Sequence, residues 1–161
     1  MTGKADFTDE EWTRIKRAPF IAGMAISLAD PGGPIELAKE TAATLETVKV
    51  SIDPATHGEL VAQAAKEVAE ETKGRQNPFG DFRAKGALAG QEILEELGAV
   101  NGIVSAKATP EEADGFRTWL NDAAREAANA AKEGGFLGFH AVRVSEGEQR
   151  MLDKLSEVLA P

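Results

Sequence analysis

Residues 109–135 read TPEEADGFRTWLNDAAREAANAAKEGG, and this stretch decides the fold class. Thr109 followed three residues later by Glu112 is a capping-box pair: the hydroxyl accepts a hydrogen bond from the third N–H, and the glutamate returns one to the cap. Pro110 falls at the first helical position, where its missing N–H has no intrahelical role. Ala113, Phe116, Leu120, Ala123, Ala127, Ala130 and Ala131 then recur at three- and four-residue steps until Lys132-Glu133-Gly134-Gly135 ends the pattern. The spacing predicts one amphipathic helix of ~36 Å at 1.5 Å rise per residue. Its small alanines allow another helix to pack closely.

The same start signal recurs at Thr8 with Glu11, Thr56 with Glu59, and Ser145 with Glu148. Alanine occurs 28 times, tyrosine never, and no stretch alternates β-branched residues with period two, so the chain reads as all-α. A first helix is expected from about Asp9 to Arg17, with a break or kink at Ala18-Pro19 because proline disfavours α geometry in the preceding residue. The second continues to Leu28 or Ala29, burying Phe20, Ile21, Met24, Ala25 and Leu28, and Asp30-Pro31-Gly32-Gly33 stops it. Pro34 opens a third helix to about Val50, with Ile35, Ala38, Ala42, Leu45 and Val48 inward. A fourth covers roughly 57–73. After the loop Gly74–Gly80, Asp81 is positioned to cap a fifth helix over about 82–104, with Gly98 and Asn101-Gly102 as candidate breaks. The last follows Ser145 and buries Met151, Leu152, Leu155, Val158 and Leu159. The expectation is one compact domain of about seven helices, with residues 1–7 flexible.

With 161 residues, the chain is long enough to bury a core without a metal or disulfide. No cysteine is present, which removes thiolate chemistry, Fe–S ligation and cysteine zinc sites together. Two histidines leave little for a multi-histidine metal site. The balance of 27 acidic to 18 basic residues, a net −9, opposes the counterion-release term that drives nucleic-acid binding. Nucleic acid and anionic membranes are therefore not expected partners; cations and basic protein surfaces remain open. The basic run Arg14-Ile15-Lys16-Arg17 before the apolar Ala18–Ala29 imitates a targeting signal. Its acidic flank and the interruptions at Pro19 and Gly23 argue for a cytoplasmic protein instead.

The segment Ala22-Gly23-Met24-Ala25-Ile26-Ser27-Leu28-Ala29-Asp30, a glycine turn, and then Glu36 or Glu40 on the next helix resembles the recurring core of tellurite-resistance TerB-like proteins. Ala127 to Leu155, with its glycine turn, Val144-Ser145 and Glu148, is similar to the same unit used again, consistent with an internal duplication of a helix pair. The resemblance covers about half of the chain. It implies a compact helical bundle, a cytoplasmic stress-response setting and binding of a divalent cation by acidic residues near the turns; it does not imply enzymatic activity, and none is expected. By position, the residues carried over are Asp30 and Glu36 in the first unit and Glu133 and Glu148 in the second. The sequence departs from the family where Pro31 separates Asp30 from the glycines and where Glu133 replaces an aspartate.

Calcium or magnesium would need several oxygen ligands converging on one point, for which carboxylates beside open turn carbonyls are suitable. The same acids also serve simply by complementing helix N-termini. The loop Gly134-Gly135-Phe136-Leu137-Gly138-Phe139-His140 leaves a second choice open: Phe136, Leu137 and Phe139 either fold back over the bundle or, with His140, dock an unknown protein partner. His140 is not accompanied by a serine–acid arrangement, and Glu-x-x-His pairs for di-iron chemistry and a phosphate-binding glycine loop are both lacking. Glu70-Glu71 and Glu95-Glu96 read as solvated helix faces, and Trp12 and Trp119 as core.

Overall fold

The computed structural model describes residues 1–30, 34–133 and 144–161, with the side chains of 131–133 excluded. It is all-α, with seven α-helices and no strand among the described residues: α1 Asp9–Ala29, α2 Pro34–Val50, α3 Pro54–His57, α4 Glu59–Lys73, α5 Ala89–Lys107, α6 Pro110–Glu133 and α7 Glu146–Val158. α1 and α6 form the central pair; α1 also packs on α2, α4, α5 and α7, and α6 on α2 to α5 and α7. The core is drawn chiefly from Trp12, Ile15, Phe20, Ile21 and Ile26 on one side and Phe116, Trp119, Leu120, Ala124 and Ala127 on the other.

The break expected at Pro19 does not occur, because α1 runs through it unbroken. An interior proline costs about 3 kcal/mol. Here it lies in a segment whose Phe20, Ile21 and Ile26 are buried, each contributing roughly 1.5–3 kcal/mol. Together they outweigh the missing hydrogen bond. The fifth helix likewise passes through Gly98 and Asn101-Gly102, but it starts at Ala89 rather than near 82. Asp81 caps nothing; Phe82 lies in the loop and packs against the core, with the Arg17 guanidinium 5.6 Å from its ring centre.

The capping boxes at Thr8 and Thr109 form as expected. That at Thr56 does not. Asp53 caps α3 instead, its carboxylate accepting from the Ala55 N–H at 2.9 Å, and Gly58, at φ 92°, turns the chain into α4. The Thr56 hydroxyl donates to the Val50 carbonyl at 3.3 Å.

The inward face of α2 also differs from expectation. Glu40, Thr44 and Val48 are buried, while Ile35 is 68% exposed and Ala38 and Ala42 are exposed as well, as is Leu28 of α1, which was expected to be buried. Alanine and threonine differ little in apolar area, so this helix has no strongly preferred side. Close packing at Gly23 decides it: a Cβ there would lie 2.7 Å from the Thr44 hydroxyl. Glu96 was expected in solvent, yet it receives Arg14 through two bonds of 2.9 Å and Arg17 at 3.2 Å, tying α5 to α1. Glu71 pairs with Lys16. Of residues 1–7, Thr2 and Phe7 are buried, while Met1 and residues 4–6 are exposed. The Thr2 N–H donates to Glu112 at 2.7 Å, and Phe7 is buried beside Trp12.

Candidate functional site

The sequence candidates are distributed unevenly over the described residues. Asp30 is the C-terminal cap of α1, Glu36 lies in the first turn of α2, and Glu148 lies in the first turn of α7. The backbone of Glu133 closes α6, and its side chain lies outside the described residues. Phe136, Leu137, Phe139 and His140 lie outside them too, as does the Pro31-Gly32-Gly33 turn.

Packing brings α7 to the α1–α2 end of the bundle. A Cβ on Gly147 would stand 2.8 Å from the Ala29 carbonyl oxygen, so only glycine lets the α7 start lie on the end of α1 at this distance. Ser145 caps α7, accepting from the Glu148 N–H at 3.2 Å, and its hydroxyl donates to the Glu148 carboxylate at 3.1 Å. Glu148 is 2% exposed and Glu40, from α2, 4% exposed. The Ser27 hydroxyl of α1 donates to Glu40.

Burial pushes the Glu40 carboxyl above the ordinary carboxylate range; the negative charges of Glu148, Glu36 and Asp30 add to that effect, and the Ser27 hydrogen bond opposes it. Three of the four sequence candidates therefore act on one buried group. Glu40 was visible in the sequence only as the alternative acidic residue of the second helix. What places it at the centre is the rotated face of α2.

A carboxyl whose folded pKa is raised favours folding in its protonated form, so its stabilising effect is present at low pH and is lost as pH rises from about 4.5 through the folded value. Glu40→Gln keeps the shape and removes the charge. It is expected to raise the melting temperature at pH 7 and to leave it unchanged near pH 4. An equal or lower melting temperature at pH 7 would contradict this account of Glu40.

A second polar constellation escaped sequence reading altogether. His57 is buried between Ser51 and Asp122, with Nδ1 3.0 Å from the Ser51 hydroxyl and Nε2 3.0 Å from the Asp122 carboxylate. Serine, histidine and aspartate are all present, but Ser51 is fully buried and its hydroxyl lies 2.7 Å from the Thr47 carbonyl. A substrate in solvent cannot reach that oxygen, and the carboxylate, not the serine, faces outward. The arrangement ties the end of α2 to α6. These residues are separated by 6 and 65 positions and follow no motif spacing, so no local signal could have found them.

The fold and this site define an all-α bundle with two buried carboxylates where three helices meet. Among the described residues, no three acidic or histidine side chains are grouped so as to hold a metal ion by themselves. No described helix is long and apolar enough to cross a membrane. No family model, curated protein or solved structure matches the chain.

Proposed function

We propose that this chain is a non-enzymatic helical protein of the TerB-like, stress-response and tellurite-resistance type, and that it takes up a divalent cation at its acidic end. The observation that supports this is the Glu40–Glu148 pair: two carboxylates almost wholly out of water, on different helices, with Glu36 and Asp30 adding negative charge around them. Two carboxylates with the remaining positions filled by water is a usual way to hold Mg2+, whereas Ca2+ takes six to eight oxygens. Magnesium is therefore the better fit of the two. Asp30 and Glu36 then supply field and outer contacts rather than a closed cage.

At a magnesium concentration about a hundredfold above Kd, the melting temperature should rise by roughly 5–10 °C, corresponding to about 2.7 kcal/mol of linkage. Glu148→Gln should abolish the rise, and Glu40→Gln should remove it despite being more stable without metal. A melting temperature indifferent to 10 mM-range Mg2+ and Ca2+ would sink the proposal. The alternative is a module that docks a protein through Gly134–His140; an apolar contact near Glu40 is favoured by the exposure of Leu28, Ile35 and Leu37.

A further inference from the structure

A cavity of about 440 Å³ opens between α2 and α6, on a side of α2 other than the one that carries Glu40. Its size lies in the range of small-ligand sites. Its hydrogen-bonding character is one-sided. The Thr47 hydroxyl donates its proton to the Ala43 carbonyl at 3.1 Å, and the Thr56 hydroxyl donates to Val50 at 3.3 Å. Both oxygens therefore face the cavity as acceptors only. On the floor, the His57 Nε2–H donates to Asp122 and Nδ1 meets the Ser51 hydroxyl, so neither ring nitrogen offers a free proton. The rest of the polar lining consists of carboxylates: Asp122, Glu126, and Glu46, the last paired with Lys49 at 2.8 Å. The apolar walls are Ala43 and Val50, the latter 61% exposed.

A hollow lined by acceptors without spare donors does not suit an anion or a neutral acceptor. It suits a group that brings several protons and a positive charge on an apolar stem. We propose that this cavity binds an alkylammonium group, with its nitrogen among Glu126, Asp122 and the Thr47 oxygen and its methylenes along Val50 and Ala43. The ammonium belongs either to a free aliphatic amine or to a lysine side chain of another protein; the chemistry is shared, and titration separates the sources.

The test is a titration of the full chain, followed through the His57 ring resonances, with three probes: 1,4-diaminobutane, a capped five-residue peptide with a central lysine, and the neutral 1,4-butanediol. Saturable shifts with the diamine but not the peptide identify a small-molecule site, and the reverse identifies side-chain capture. The diol should give none. Glu126→Gln, at an exposed position, should weaken the binding cation about tenfold, as expected for loss of one charge-assisted bond. Thr47→Val, of the same shape, should weaken it about threefold for loss of a neutral bond. Failure of both cations to saturate, equal binding of the diol, or undiminished binding by a folded Glu126→Gln protein would overturn the proposal.

Discussion

Gly115→Ala is expected to destabilise the protein by about 3 kcal/mol, lowering its melting temperature by roughly 10 °C. On an ordinary helix the change would have the opposite sign, since glycine in a helix interior costs up to about 1 kcal/mol relative to alanine. Gly115 lies on α6 where that helix crosses α3, and a methyl group there would stand far inside contact distance of the His57 carbonyl oxygen. The obstacle is backbone, which cannot rotate away as a side chain can. α3 would have to move, and with it the His57 bonds to Ser51 and Asp122. Thermal unfolding of the single variant decides the matter; a stabilised Gly115→Ala protein would mean that the α3–α6 crossing is not this close.

The second large effect belongs to Trp119, which is fully buried and meets Phe116 edge-on at 6.2 Å between ring centres. Trp119→Ala should cost about 3–5 kcal/mol through lost burial and the cavity left behind. Its indole N–H has no hydrogen-bond partner among the described residues. Leaving a donor unpaired in the interior itself costs about 1–3 kcal/mol. Trp119→Phe removes that donor while keeping most of the ring, so it should lose no more than about 1.5 kcal/mol. Denaturant midpoints for the two variants provide the comparison. Equal losses would indicate that the indole N–H is satisfied.

Much of the architecture was legible locally. The boxes at Thr8 and Thr109 mark helix starts correctly because a cap involves only residues within one turn of each other. The α6 stripe was clear because Phe116, Trp119 and Leu120 contrast strongly with the charges opposite them. α2 was misread for the converse reason, and Pro19 because its local penalty is smaller than the long-range burial around it. The candidate site was half legible: Asp30, Glu36 and Glu148 were carried over by position from the resemblance, whereas Glu40 entered only as the alternative to Glu36, since nothing local shows which face of α2 turns inward.

By itself, the sequence determined the all-α class, the capped helix starts at Thr8 and Thr109, the lack of any thiol and the net acidic charge. Each follows from composition or from interactions spanning four residues or fewer. Only the tertiary structure decided that α2 turns Glu40 inward, that Gly147 brings Glu148 to the same end, and that His57 lies between Ser51 and Asp122. Those outcomes depend on close approaches between segments far apart in the chain, where a single missing Cβ determines which faces meet.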